Sequence, residues 1–180
     1  MELVLKLIWF LLPAGAANMA PVFAEKLFPN WSTPIDGGML FRGQPLFGGH
    51  KTLRGLLAGI VVSVFVFIFQ RQAYIHVPFV REISFFDYER YSWLPGVLFG
   101  VGALGGDLAK SFFKRRLGKN SGVSWFPFDQ IDWMIGTLAA TAFLFSLDLR
   151  SAIALVVLSL ALSLFVKWIG FLIKINESPI

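Results

Sequence analysis

The sequence predicts an all-α, polytopic membrane protein, and three observations lead to that prediction. Of its 180 residues, 56% are hydrophobic and only 15% are charged, whereas soluble domains carry about 25% charged residues. Basic residues cluster in two of the loops. Five apolar stretches approach or exceed the roughly 20 residues that cross a bilayer as a helix; they cover residues 3–23, 53–69, 93–113, 131–147 and 152–173. We therefore expect one domain, residues 1–180, with five transmembrane helices and two cytoplasmic loops.

The first apolar stretch has the length of a signal peptide, but its flanks favour a membrane span. Asn18, Pro21 and the following Glu25 leave no clean small-residue cleavage site. Pro13 and Gly15 are expected to kink this helix. We therefore count the stretch as the first of the five spans.

The third apolar stretch carries a glycine pattern with two interpretations. Residues 100–105, GVGALG, match the form G-x-G-x-x-G of dinucleotide-binding loops, but no strand precedes them and their flanks are typical of a membrane span. Gly102 and Gly106 also form G-x-x-x-G, a spacing that lets two membrane helices approach closely. We therefore predict close helix packing here, with Asp107 facing inward.

The basic loops predict the orientation of the chain. They follow the first and third spans and contain Arg42, Lys51, Arg54, Lys114, Arg115, Arg116 and Lys119. The positive-inside rule then places both loops in the cytoplasm, the N-terminus outside and the C-terminus inside. Because these residues lie next to membrane spans, the net charge of +5 indicates anionic head groups and nucleotides, and no nucleic-acid partner is expected.

Polar residues gather where the third span ends. Asp107 follows a run without charged residues from 93 to 106, and a carboxylate at such depth in lipid requires a partner or a function. Asp107, Ser111 and Lys114 are spaced i, i+4 and i+7, so one helix presents all three on the same face. Asp129 and Asp132 are spaced i, i+3 near the start of the next span and also share a face.

Three carboxylates beside a basic cluster predict a metal–phosphate site. Mg²⁺ prefers carboxylate oxygens together with substrate phosphates, and Lys and Arg neutralise the remaining phosphate charge. Simpler explanations exist for the parts: membrane anchoring for the basic loop, an ordinary connector for the glycine-rich loop, and helix capping for Asp129 at N-cap and Asp132 at N3. Asp107 differs, because a carboxylate near a helix C-terminus opposes the helix dipole.

The residue types that are absent exclude several classes of catalytic site. Cysteine is absent, and His50 and His76 lie too far apart in sequence to suggest a zinc motif. No Ser-His-Asp or Cys-His arrangement is present. A phosphate monoester is already an anionic nucleophile, so carboxylates and cations suffice for its attack on the α-phosphorus of a nucleoside triphosphate. A membrane enzyme would take that phosphate from a lipid.

The segments HKTLRG at 50–55, GGDLAKSFFKRR at 105–116 and PFDQIDW at 127–133 together resemble the CDP-archaeol synthase family. They are also similar to the CTP:phosphatidate cytidylyltransferases, but Trp125-Phe126-Pro127-Phe128 stands where that larger family has His-Gly-Gly. The resemblance implies a reaction of CTP with a lipid phosphate that gives a CDP-lipid and pyrophosphate, with Mg²⁺ as cofactor. The lipid is either an isoprenoid ether or an acyl glycerol phosphate, because both need only an apolar groove.

The resemblance also implies roles for individual residues. Asp107, Asp129 and Asp132 would be the metal ligands and, with Lys114, the catalytic residues. The contacts to the nucleotide and its phosphates would come from Lys51, Thr52, Arg54, Ser111 and Arg115.

Two other functions are alternatives. A CDP-alcohol phosphotransferase would carry D-G-x-x-A-R, and Asp36-Gly37 is not followed by Ala-Arg at that spacing. A small lipid transporter or a structural membrane subunit would not be an enzyme and would show no Mg²⁺-dependent binding of CTP. Incubation of the protein with CTP, Mg²⁺ and lipid phosphates separates these functions.

Overall fold

The computed structural model describes residues 2–120 and 123–172 and is mainly helical. Its helices are α1 (Glu2–Leu27), α2 (Leu53–His76), α3 (Pro78–Glu82), α4 (Leu94–Arg116), α5 (Phe128–Thr141) and α6 (Leu149–Leu172), with a 3-10 helix at Tyr88–Arg90 and two short strands, β1 (Leu40–Phe41) and β2 (Gln44–Pro45). The predicted end of the fifth span, residue 173, lies outside the described residues.

Within the described part of the chain, four helices are long and apolar enough to cross a membrane: α1, α2, α4 and α6. The prediction of a polytopic helical membrane protein agrees with this. The predicted fourth span, 131–147, is helical over only part of its length, because α5 has 14 residues and is about 21 Å long. It is therefore shorter than the roughly 30 Å hydrocarbon core.

Helix α2 is longer than predicted. Thr52 caps its start by accepting a hydrogen bond from the Gly55 N–H at 3.4 Å. The helix passes the predicted end at residue 69 and stops at His76, because Gln70 to His76 contains no helix breaker and Pro78 is the first residue that cannot continue the hydrogen-bond ladder. The short helix α3 follows directly, with Val77 between the two helices.

Glycines bring α4 into contact with both of its neighbours. On one face, a Cβ at Gly96 or Gly100 would lie 2.7 or 2.9 Å from a backbone Cα of α2. On another face, a Cβ at Gly102 would lie 2.8 Å from the Cα of Thr137, and one at Gly106 would collide with the carbonyl oxygen of Asp132. The G-x-x-x-G spacing therefore marks close packing of α4 on α5, as predicted.

An aromatic cluster closes the end of the bundle opposite the basic loops. Phe145 stacks on Phe86 with ring centroids 3.8 Å apart, and Phe10 meets Phe99 edge-on at 5.0 Å. The Tyr91 hydroxyl donates to the Leu144 carbonyl at 3.1 Å. In the irregular segment between α5 and α6, Phe145 is thereby buried, whereas Ala142, Phe143 and Ser146 stay exposed. Contact with protein is the condition for non-helical backbone at membrane depth.

The first basic loop is held by a hairpin and a buried carboxylate. Arg42 and Gly43 both have positive φ, 53° and 74°, as a two-residue turn between β1 and β2 requires. Burial alone would raise the pKa of Asp36, but the backbone N–H groups of Phe47 and Gly38, which donate to its carboxylate, hold that pKa below its ordinary value. The loop thus enters the site with a fixed backbone.

Gly106→Ala is expected to lower the unfolding midpoint in detergent, because the added methyl group overlaps the α5 backbone and such overpacking costs about 1–3 kcal/mol. The neighbouring Gly105→Ala is the matched control, since a Cβ there meets nothing within 4 Å. The control should keep or slightly raise the midpoint, because alanine favours helix over glycine by about 1 kcal/mol. Equal midpoints for the two variants would contradict the described α4–α5 contact.

Candidate active site

The ammonium group of one lysine lies among the three predicted carboxylates. Lys110 Nζ is 3.1 Å from Asp107 Oδ1, 2.9 Å from Asp129 Oδ1 and 3.1 Å from Asp132 Oδ2. Asp107 and Lys110 lie one turn apart on α4, and the other two acids come from the first turns of α5. The structure therefore brings the three aspartates together, and Lys110 links the two helices.

Two further lysines complete the charge balance. Lys51, from the first basic loop, pairs with Asp107 Oδ2, and Lys114 Nζ is 3.1 Å from Asp129 Oδ2. Three lysines against three aspartates give a formal charge of 3 − 3 = 0 for the cluster. Such neutrality is what allows so many charged side chains to lie at the edge of a membrane domain.

The capping explanation for the two α5 acids does not match the helix start. Pro127 occupies the N-cap position of α5, so Asp129 is the second residue of the helix. Asp129 Oδ2 accepts from the Trp125 N–H at 2.6 Å and also receives the Lys110 and Lys114 ammonium groups. Asp132 Oδ1 accepts from the Trp133 N–H at 2.8 Å, which leaves Oδ2 for Lys110.

The donor chemistry of the cluster fits a hard divalent cation. Among the residues described, no three or more acidic or histidine side chains are placed so that they could hold a metal ion as they stand. The three carboxylates instead converge on one point that Lys110 Nζ occupies. Carboxylate oxygens that reach a common point are the ligands that Mg²⁺ accepts, together with water and phosphate oxygens.

A cationic cavity of about 360 Å³ adjoins the cluster. Arg115 is buried, and its Nε has no hydrogen-bond partner within the described residues. An unpaired buried guanidinium N–H is a donor that a phosphate oxygen can satisfy. The cavity lies between the first basic loop and α4, and its lining consists of Phe47, Gly48, His50, Lys51, Lys110, Ser111, Lys114 and Arg115.

An apolar groove of about 670 Å³ lies between α4 and α5. It extends from Val101 to Phe113 along α4, which corresponds to about 18 Å of helix. Glycine and alanine residues leave room along its floor, and Lys110 and Asp132 are the charged residues of its lining. Lys110 also lines the cationic cavity, so the two cavities meet at this residue.

Two of the residues predicted to contact phosphates have structural partners instead. Thr52 is the N-cap of α2. Arg54 is buried and donates to the carbonyl oxygens of Phe28 and Pro29 at 2.8 and 3.1 Å, with Glu25 at 3.2 Å. These bonds tie the start of α2 to the end of α1. The described polar contacts of Arg54 are thus with that segment, and its role in phosphate binding stays a prediction.

The structure gives two basic residues roles that the sequence patterns did not predict. Lys110 was part of the quoted motif without a role, although its i, i+3 spacing from Asp107 would have indicated a pair on one helix face. The guanidinium of Arg116 donates to the carbonyl oxygens of Phe41, Gln44 and Pro45. No sequence signal identifies that contact, because it joins α4 to the distant hairpin.

Known proteins of one family match this chain over most of its length. A family model described as CarS-like, CDP-archaeol synthase, matches residues 1–180. The CDP-archaeol synthase of Methanoculleus marisnigri is 38% identical over 166 residues, which is 88% of this chain and 96% of that protein. The CDP-archaeol synthase of Thermococcus onnurineus is 35% identical over 161 residues, covering 89% and 85% of the two chains.

A solved structure also matches this chain. The structure of an intramembrane enzyme for archaeal membrane lipids biosynthesis matches with a TM-score of 0.71 and 31% identity, and the match covers 89% of this chain and 91% of that chain. The family model and the relatives thus agree with the segments HKTLRG, GGDLAKSFFKRR and PFDQIDW, which resemble this family. The chain belongs to the CDP-archaeol synthase family.

Proposed function

We propose that this membrane cytidylyltransferase transfers CMP from CTP to a lipid phosphate at the Lys110 cluster. The observation that carries the proposal is the position of Lys110, which lines both the apolar groove and the cationic cavity. The groove suits lipid chains and the cavity suits a triphosphate, so the two reacting phosphates would meet beside the three aspartates. A lipid transporter or structural subunit would have no need for this junction.

The proposed reaction is a displacement at the α-phosphorus of CTP. An oxygen of the lipid phosphate forms the new P–O bond, and the bond from the α-phosphorus to the oxygen that bridges it to the β-phosphorus breaks. The products are a CDP-lipid and pyrophosphate. Because the nucleophile is already an anion, the residues need to align the two phosphates and offset their charge.

The chain supplies cations for that charge from two directions. Lys51 approaches from the first basic loop, while Lys114 and Arg115 lie on α4. Ser111 is buried in the same cavity lining and offers a hydroxyl group to a phosphate oxygen. We propose that these residues hold the triphosphate of CTP, with Lys110 between it and the lipid phosphate.

Asp107, Asp129 and Asp132 would hold Mg²⁺ in this proposal. The bound ion would supply positive charge to the phosphate oxygens and the departing pyrophosphate. Lys110 now occupies the common point of the carboxylates, so its ammonium group must leave that point when the ion binds. Its flexible stem would carry it into either cavity, where it can pair with a phosphate.

We further propose five membrane crossings with the cluster on the cytoplasmic side. Asp129 lies beside Lys114 near the end of α4, whereas Leu144 bonds Tyr91 just before α4 begins. The chain from α5 to residue 144 thus travels the length of α4 in the opposite direction, although its helix is short. The basic loops lie at the end of the bundle that the positive-inside rule assigns to the cytoplasm, with the N-terminus outside and the C-terminus inside.

The lipid substrate would be a glycerol phosphate with isoprenoid ether or acyl chains. The name of the relatives, CDP-archaeol synthase, supports the ether lipid. The apolar groove supports any lipid with long chains that can lie between α4 and α5. We propose that the chains occupy this groove and that the phosphate lies at its Lys110 end.

Asp107→Asn, Asp129→Asn and Asp132→Asn should each lower CDP-lipid formation about 100-fold or more, because each removes one carboxylate charge from the site that aligns the phosphates. The measurement is the amount of CDP-lipid made from CTP, Mg²⁺ and a panel of lipid phosphates. Asp148→Asn is the matched control, since Asp148 caps α6 through the Ser151 N–H. Full activity in Asp129→Asn or Asp132→Asn would make the site assignment wrong.

Lys110→Met should strengthen Mg²⁺ binding while it reduces activity. The substitution changes the formal charge of the cluster from 0 to −1 and removes the group that competes for the carboxylates. We expect the apparent Kd for Mg²⁺ to fall about tenfold, measured as stabilisation of the unfolding midpoint without substrates. Lys6→Met removes a lysine that pairs with Glu2 instead and should change nothing. An unaltered Mg²⁺ response in Lys110→Met would contradict the proposed site.

Ala139→Trp should raise the KM for the lipid phosphate and leave the KM for CTP near its original value, because Ala139 lines the apolar groove. We expect a rise of about tenfold or more, as a filled groove forfeits apolar contacts worth over about 1.4 kcal/mol. Ile153→Trp, at a position of α6 that is 56% exposed, is the control for bulk in the membrane. A rise in the KM for CTP alone would refute the groove's assignment to lipid.

A further inference from the structure

A second polar cavity, of about 490 Å³, lies between the end of α2 and the segment that precedes α4. Arg71 lines it from α2, and Arg90, Ser92 and Trp93 line it from the connecting segment. Arg71 lies 71 − 52 = 19 residues beyond Thr52, the N-cap of α2, which corresponds to about 28 Å along the helix. The cavity is therefore near the membrane surface opposite the Lys110 cluster.

Among the residues that the structure describes, Arg71 has no partner for its charge. Its Nε is buried without a hydrogen-bond partner, and the described residues provide neither a hydrogen bond nor an ion pair to its guanidinium. A partly buried cation without a counter-charge is unfavourable, most of all beside an apolar membrane span. Guanidinium groups offer N–H donors in a fork that matches two phosphate oxygens. The Arg71 guanidinium thus offers donors for which the described residues supply no acceptor.

The charge of the lining selects the kind of anion. Arg90 bonds Asp87 through Nε at 3.1 Å, and its side chain is 78% exposed, so its terminal nitrogens can turn to a ligand. Glu89 also lines the cavity, with Arg81 at 4.0 Å. With two cationic residues, Arg71 and Arg90, and one anionic residue, Glu89, the lining has a formal charge of 2 − 1 = +1. One phosphodiester monoanion balances that charge, whereas a phosphate monoester dianion or a triphosphate exceeds it.

The surroundings of the two arginines suit a lipid more than a soluble anion. Ile68 and Trp93 also line the cavity and are 38% and 57% exposed. Tryptophan and tyrosine are enriched at the level of the head groups, and Tyr91 contributes to the same lining. Basic pockets between membrane helices are known to bind anionic head groups.

We propose that this cavity binds the phosphodiester of an anionic membrane phospholipid, with Arg71 and Arg90 as its cationic ligands. The lipid lies in the leaflet opposite the Lys110 cluster and is not a substrate. Its phosphate supplies the counter-charge that Arg71 lacks, and its chains pass along Ile68. The site is independent of the proposed cytidylyltransferase reaction, because it shares no lining residue with either the groove or the cationic cavity.

The test compares the complete, delipidated protein in detergent with phosphatidylglycerol, phosphatidylcholine or inorganic phosphate. Phosphatidylglycerol should raise the unfolding midpoint of the wild type, and titration of that shift gives an apparent Kd. Arg71→Gln should weaken this Kd about tenfold or more and Arg90→Gln less, since one charge-assisted pair is lost in each. Arg150→Gln removes an exposed arginine elsewhere and should leave the Kd unchanged.

A second measurement distinguishes loss of lipid binding from poor folding of a variant. Native mass spectrometry counts phosphatidylglycerol molecules retained by the folded protein, and Arg71→Gln should retain fewer than Arg150→Gln. Both variants should still form CDP-lipid, so a failure of the proposed reaction and a failure of this site are distinguishable. Equal retention by the two variants, equal binding of phosphatidylcholine, or protection by inorganic phosphate to the same extent would each overturn the proposal.

Discussion

A single ammonium group, that of Lys110, holds together the part of the protein on which everything else depends. Three carboxylates from two helices are a costly group to bring together at the edge of a membrane domain, because their charges repel and lipid cannot solvate them. Lys110 contacts all three. Around that contact α4 and α5 lie almost backbone to backbone, and the glycines at 102 and 106 make this distance possible. The helix packing and the polar site are therefore consequences of the same requirement.

The sequence could predict what depends on composition and local spacing. The apolar helices, the glycine contact between α4 and α5 and the convergence of the three aspartates follow from run lengths and from i, i+3 and i, i+4 patterns. Contacts to backbone groups of distant segments could not be predicted in this way. Arg54 was expected near phosphate because it lies in a basic glycine-rich loop, yet it binds carbonyl groups at the end of α1. The carbonyl groups that attract it carry no signature in the sequence, since every residue has one.

The length of α5 shows a second limit of prediction from hydropathy. Residues 131–147 are uncharged except for Asp132 and mostly apolar, and apolar character alone cannot distinguish a helix from a buried irregular segment. The helix ends at Thr141, and the chain continues under aromatic rings, where Phe145 stacks on Phe86. Local hydrogen bonds satisfy part of the backbone there, because the Leu144 and Phe145 N–H groups both donate to the Thr141 carbonyl oxygen at 3.0 Å. The conformation of this segment thus depends on tertiary contacts that no single segment contains.

The choice of lysine at position 110 follows from what the proposed reaction asks of the site. Three donors on one nitrogen match three carboxylates around a point, whereas the planar fork of arginine would bind one carboxylate in a fixed plane. In the proposed reaction an ammonium group on a flexible stem could also leave, so the carboxylates would be held together in the absence of a divalent ion and would be available to hold one. Because the stem of Lys110 borders both the apolar groove and the cationic cavity, the charge that leaves the acids remains beside the phosphates. A residue that stabilises the resting cluster in this way can become a ligand of the reacting groups without any movement of the helices.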